Sequence, residues 1–156
     1  MKYTILIAVL SLVFFTSAQD DNSGLREPKS HAVGLHAGFT TGLGFSYRFM
    51  PKKLGLQLTT APFFNTRSQD NFLSLGASVL YKFFETRKTD LFGYVGNHYI
   101  STTFSDPIYN VGVGAGLNLY ASRFFYFSLQ AGYGVYSINN FPFSNLTGEF
   151  GLYFKF

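Results

Sequence analysis

The chain has 156 residues, 47% hydrophobic, 20% aromatic and only 13% charged, with no Cys, no Trp and a formal net charge of +4. One domain is the expectation at that length. So few charges among so many Phe and Tyr exclude a disordered chain, zero Cys excludes disulfide frameworks, Cys-ligated zinc and thiol catalysis, and the scattered basic residues do not match a nucleic-acid binder.

Residues 1–18 read MKYTILIAVLSLVFFTSA. Lys2 is a positive n-region, residues 4–15 are an apolar core, and Thr16-Ser17-Ala18 are the small residues a signal peptidase reads. This is the pattern of a secretory signal peptide cleaved after Ala18, and the apolar run is too short for a membrane span. An exported chain without Cys fits the envelope of a Gram-negative bacterium. Residues 19–30 are polar, broken by Gly24 and Pro28, and read as a flexible periplasmic leader. The barrel-like pattern described next fills residues 31–156.

Period two dominates this stretch, and no segment repeats apolar residues at helical spacing for more than a turn. Val33, Leu35, Ala37 and Phe39 alternate with Gly34, His36 and Gly38. Leu43, Phe45, Tyr47 and Phe49 alternate with Gly44, Ser46 and Arg48, and Leu54, Leu56 and Leu58 with Gly55, Gln57 and Thr59. A fourth segment sets Leu73, Leu75, Ala77, Val79, Tyr81 and Phe83 against Ser74, Gly76, Ser78 and Lys82. The fifth, residues 91–100, is apolar on both faces and leaves its phase open. The sixth opposes Val111, Val113, Ala115, Leu117 and Leu119 to Gly112, Gly114, Gly116 and Asn118. The seventh opposes Phe125, Phe127, Leu129, Ala131, Tyr133 and Val135 to Tyr126, Ser128, Gln130, Gly132 and Gly134. The eighth opposes Phe150, Leu152, Phe154 and Phe156 to Glu149, Gly151, Tyr153 and Lys155. Pro28, Pro51, Pro107 and Pro142 punctuate the segments and Pro62 lies near the end of the third, as expected of a residue that cannot donate to a ladder.

The polarity of the two faces decides the environment. One face is bulky and apolar in nearly every strand; the other is Gly, Ser, Thr, Asn and Gln with a few charges. A soluble lipocalin-type carrier would turn the bulky face inward. An eight-stranded barrel has an interior just wide enough for side chains, so small residues belong inside and bulky ones in lipid. The expected fold class is all-β, a transmembrane antiparallel up-and-down β-barrel of eight strands. Closure leaves no unpaired edge in a bilayer, and a monomer follows. Phe63-Phe64, Phe83-Phe84 and Phe124-Phe125 are placed at strand ends, where aromatic girdles belong. With both termini periplasmic, the short turns are residues 50–53, 84–90 and 121–123. The outer loops are 40–42, 65–71, 101–110 and 139–145, the first of them unusually tight.

The eight alternating segments, the signal peptide and the C-terminal run GEFGLYFKF ending at Phe156 resemble the small OmpA/OmpX-like outer-membrane β-barrels. The resemblance implies residence in the cell outer membrane and contact with its lipid and lipopolysaccharide. It also implies that Phe150, Leu152, Phe154 and Phe156 form the signal read by the barrel assembly machinery. It implies no cofactor and no particular activity.

Chemistry is sparse. The expected interior polar network is His36, Arg48, Gln57, Lys82, Asn118, Gln130, Glu149 and Lys155, a structural set in a lumen too narrow for a general porin. Some eight-stranded outer-membrane barrels modify lipid A with Ser and His at the outer rim. Here His98, Ser101, Ser105 and Asp106 are the residues from which an acyl-transfer site would be assembled. His98 and Ser101 are an odd number of residues apart, however, which puts them on opposite faces of a continuing strand. His31, His36 and His98 are dispersed, so no metal site is expected. Gly112-Val-Gly-Ala-Gly116 lies inside an alternating strand with no helix after it, which excludes a dinucleotide loop.

Overall fold

Side-chain alternation on this scale dictates strands, and a sheet with one lipid-compatible face must close on itself. A computed structural model of the chain describes residues 30–65, 70–139 and 141–156. The predicted signal peptide, and the predicted leader up to residue 29, lie outside the described residues. Eight antiparallel strands follow one another around a closed barrel: β1 (His31–Gly38), β2 (Gly42–Phe49), β3 (Leu54–Asn65), β4 (Asp70–Glu85), β5 (Thr89–Thr102), β6 (Ser105–Tyr120), β7 (Phe125–Tyr136) and β8 (Phe143–Lys155). Each pairs with its chain neighbour, and β8 returns to β1 through Ala32↔Lys155 to Ala37↔Phe150. The ends meet beside the short turns, where the Phe156 N–H donates to the His31 carbonyl at 2.9 Å.

Row geometry gives the tilt. The hydrogen-bonded row from Gly34 runs through Ser46, Thr59, Gly76 and His98 to Asn110 on β6. Followed the other way, the same row passes Tyr153 and Tyr126 and reaches β6 at Tyr120. That stagger is the shear that inclines strands to a barrel axis. Every strand carries bulky side chains on its outer face: Leu35, Phe45, Leu56, Val79, Val95, Val113, Leu129 and Phe154 are exposed, whereas Gln57, Ser74, Ser128 and Asn118 are buried within.

Two sequence expectations are corrected. The outer loop at 101–110 is mostly strand, because β5 runs to Thr102 and β6 starts at Ser105. Its register shifts between Ile100 and Thr102, leaving Asp106 and Pro107 opposite Ser101 in a bulge, where a residue without an N–H costs no ladder bond. Pro62 lies near the end of β3 as expected, paired to Leu73 on one side and past the last β2 partner on the other. Second, the interior is not uniformly small. On β5, whose phase was ambiguous, Phe92 and Tyr94 turn inward and are buried, as are Leu80, Tyr126 and Tyr153. Their room comes from glycines across the sheet. A Cβ on Gly116 would collide with the edge of the Phe92 ring, and one on Gly132 would lie 2.8 Å from the Tyr94 hydroxyl.

The β1–β2 hairpin is shorter than its neighbours, with eight-residue strands against twelve to sixteen elsewhere. β1 stops pairing with β8 at Phe150, and β2 stops pairing with β3 at Thr60. The barrel is therefore closed only below the hairpin tip. Above it, residues 61–65 of β3 and 143–149 of β8 border a notch in the wall.

Candidate functional site

The lumen is occupied in two layers. In the layer nearer the turns, Arg48 projects from β2 across the interior. Its Nε donates to Gln57 Oε1 at 2.6 Å and its Nη1 to Asn118 Oδ1 at 3.0 Å. The guanidinium lies over the Tyr153 ring at 4.2 Å and the Phe92 ring at 5.3 Å. Tyr153 stacks on Tyr126 at 5.1 Å, and Leu80, Phe92 and Tyr94 pack with Met50. Ring faces and fixed hydrogen bonds surround the cation, a setting for which a planar guanidinium is suited.

The second layer is made by the hairpin tip, which folds into the barrel. Thr40 and Thr41 have no exposed surface. Gly42 and Gly44 at the start of β2 have φ of 104° and 119°, values that L side chains rarely adopt, and this lets the chain turn inward. Glu149 on β8 accepts the Thr40 N–H at 2.9 Å, the Thr40 hydroxyl at 2.6 Å, the Thr41 hydroxyl and the Thr147 hydroxyl at 3.2 Å. His36 Nε2 lies 2.6 Å from Thr41 Oγ1 and 3.5 Å from Glu149, and its Nδ1 is 3.2 Å from the Tyr153 hydroxyl. The Phe39 carbonyl accepts from His98 Nδ1 and from Asn110 Nδ2, each at 3.0 Å. The tip also fills space left by glycines on four other strands. A Cβ on Gly76 would collide with the Thr41 carbonyl, and one on Gly96 would lie 2.9 Å from the Thr40 carbonyl. Cβ atoms on Gly112 and Gly134 would come within 2.6 and 2.7 Å of the Thr40 side chain.

The residues singled out in the sequence fall into several places. Arg48, Gln57 and Asn118 share the lower layer; His36 and Glu149 share the upper one. Gln130 is buried between them on β7. Lys82 pairs with Glu85 at 2.8 Å near the turn end, and Lys155 lies 5.6 Å from the Tyr120 ring. Arg48 and Glu149 belong to different layers and make no ion pair with each other. Sequence reasoning missed Thr40, Thr41 and Asn110; the only signal was the tightness of the loop between Gly38 and Gly42.

The acyl-transfer arrangement is not assembled. His98 points inward and commits both ring nitrogens, Nδ1–H to the Phe39 carbonyl and Nε2 to the Ser74 hydroxyl at 2.8 Å. Ser74 in turn accepts the Leu43 N–H at 3.1 Å, so this pair anchors the hairpin. Ser101 lies in the β5–β6 bulge, and Ser105 and Asp106 are exposed at the rim, Ser105 bonded to Thr102 at 2.7 Å. On the last strand, Phe150, Phe154 and Phe156 are exposed outward and Leu152 is half-buried between neighbours. A furrow runs along the outer wall between two side-chain rows, bounded by Leu35, Phe45 and Tyr109 on one side and Val33, Leu58 and Val111 on the other.

No family model matches the sequence, and no curated protein does. Among solved structures, the N-terminal β-barrel domain of Pseudomonas aeruginosa OprF superposes with a TM-score of 0.54 at 14% identity, over 81% of this chain and 95% of that one. This chain has the fold of the small outer-membrane β-barrels. A de novo designed transmembrane β-barrel gives a TM-score of 0.46 at 21% identity, over 83% and 98% of the two chains. Ail of Yersinia pestis gives 0.40 at 16%, over 81% and 93%. In this lumen a wall hairpin doubles as the plug.

Proposed function

We propose that the protein is an integral outer-membrane barrel with a structural or surface-interaction role and a lumen that does not conduct solutes. The observation that carries this reading is the double filling of the interior, by Arg48 between Phe92 and Tyr153 and by Thr40-Thr41 on Glu149. A pore needs a continuous polar path, and here the path is interrupted at two levels, by the Arg48 layer and by the hairpin tip. The exposed belt of Leu, Val and Phe is the complement of lipid hydrocarbon, with lipid and lipopolysaccharide as its natural neighbours. A lipocalin-type carrier would bury that belt and leave a cavity. The outward Phe150, Phe154 and Phe156 of the last strand would serve the barrel assembly machinery, after export on a cleaved signal peptide. A single closed wall below the tip leaves no backbone edge there for a second copy to satisfy, which supports a monomer.

The test is reconstitution. The full chain should resist extraction by a urea wash, migrate differently on gels before and after boiling, and pass no stepwise current in planar bilayers. Release into urea would sink the membrane placement, and sustained unitary currents would sink the closed lumen.

A further inference from the structure

Immediately above the hairpin plug, the inner wall changes character. The floor of this region is polar or small: Ser74, His98, Asn110, Gly134 and the tip itself. Two residues further up each strand, the inward positions are Phe72, Ile100, Ile108 and Tyr136, joined by Phe63 on β3 and Phe143 on β8. Phe63 and Phe72 approach at 6.1 Å, and Tyr136 stacks on Phe143 at 5.2 Å. They are not packed shut: Phe63 is 65% exposed and Phe143 57%, and the other four are half-buried. An inward-facing apolar cup of this kind is an uncovered patch that a soluble vestibule would not keep.

The cup opens sideways. Across the notch, β3 and β8 are separated by the width of the two strands that stop short, roughly 14 Å at three inter-strand spacings. The five unpaired residues of β3 make that opening roughly 16 Å tall. Its outer margins are Phe64 on β3, Leu146 on β8, and Leu43 and Phe45 just beneath, all exposed members of the lipid-facing belt. The apolar inner wall is therefore continuous with the surface that meets hydrocarbon. A peptide strand is the other occupant that would fit two exposed sheet edges, but Pro62 sits in the middle of the β3 edge, a standard block to strand addition. A Cβ on Gly148, on the β8 edge, would meet nothing within 4 Å, so that margin is open.

We propose that this vestibule is a binding site for a long alkyl chain, entering through the notch between β3 and β8 and ending on the Thr40-Thr41 plug. The proposal rests on the membrane placement above but assigns a ligand class that placement does not require. The chain could belong to a lipid of the surrounding leaflet or to a free fatty acid, and the two sources share the same chemistry.

The experiment is photolabelling of the full chain in vesicles. One arm carries a phosphatidylethanolamine with a diazirine at the end of an acyl chain; the other carries plain lipid with added diazirine palmitate. The outward belt supplies an internal reference. Labelled peptides should include inward Ile100 and Ile108 as well as belt residues such as Val95 and Val113. The double variant Phe63→Asn with Phe143→Asn, at two exposed positions, should lower inner labelling at least fivefold and leave belt labelling unchanged. Ile100→Asn should do the same from the opposite wall, with unaltered heat-modifiable migration as the folding control. Inner labelling in either arm supports the site and names its source. Labels confined to the belt, or inner labelling unchanged in the variants, would overturn it. A belt unlabelled by vesicle lipid would instead overturn the membrane placement beneath it.

Discussion

Thr40 and Glu149, 109 residues apart in the chain, share two hydrogen bonds inside the barrel, from the Thr40 N–H at 2.9 Å and from its hydroxyl at 2.6 Å. The pair ties the tip of the first hairpin to the last strand and turns a loop into a plug. The carboxylate takes four donors, and hydrogen bonds to a charged acceptor are the strong ones.

Replacing Glu149 should therefore loosen the tip. Glu149→Ala takes the carboxylate acceptor from the Thr40 N–H and from the Thr40, Thr41 and Thr147 hydroxyls, at about 1–3 kcal/mol for each group left without a partner that water cannot reach. We expect a lower urea midpoint for the heat-modifiable form. Glu149→Gln keeps one acceptor oxygen and should lose less. An unchanged midpoint for Glu149→Ala would contradict the fastening role.

The two layers should be redundant barriers. Arg48→Ala or Glu149→Ala alone should stay silent in planar bilayers, because the other layer still fills its section. The double variant should pass small, fluctuating currents. Currents of equal size from either single variant would show that only one layer closes the lumen.

Arg48→Lys is not a conservative change here. An ammonium cannot reproduce the fork to Gln57 and Asn118 while lying flat on Tyr153. The expected cost is about 1–3 kcal/mol, read as a shifted unfolding midpoint. Arg48→Lys with wild-type stability would refute the stacking argument.

Glycines should differ sharply by the face of the wall they occupy. Gly112→Ala places a methyl group 2.6 Å from the Thr40 side chain. Overpacking of this kind costs about 1–3 kcal/mol. Gly148→Ala meets no atom within 4 Å and should change stability by less than about 0.5 kcal/mol. Comparing their midpoints tests how tightly the tip fills the lumen.

The final strand offers a separate test of biogenesis. Phe156 donates its N–H to the His31 carbonyl and stacks on the His31 ring at 5.9 Å, and its side chain stays half exposed. Deleting Phe156 should reduce the heat-modifiable fraction recovered from outer membranes far more than it lowers the stability of refolded protein. Equal losses in both measurements would mean that Phe156 matters only for packing.

Much of this molecule was legible before any coordinates. The eight segments, the bulky outward face and the inward placement of Arg48, Gln57, Asn118 and Glu149 all follow from alternation along single strands. What alternation could not supply is illustrated by Phe92 and Tyr94. Both faces of β5 are apolar, and the phase was decided by Gly114, Gly116 and Gly132 on neighbouring strands, which leave room for two rings. Asp106 and Pro107 show the same limit. They look like loop residues, yet a bulge carries them within β6 because Asn139 Nδ2 holds the Pro107 carbonyl at 2.5 Å from the next loop.

The aromatic load, the period-two pattern and the contrast between faces determine a barrel turned inside out, because each depends only on neighbours in sequence and on the solvent each face prefers. The plug, the notch and the apolar cup depend on where a short hairpin ends relative to strands far away in the chain. That relation is set by register and by barrel shear, and only the closed tertiary structure brings Thr40 to Glu149 and leaves β3 and β8 without partners above them.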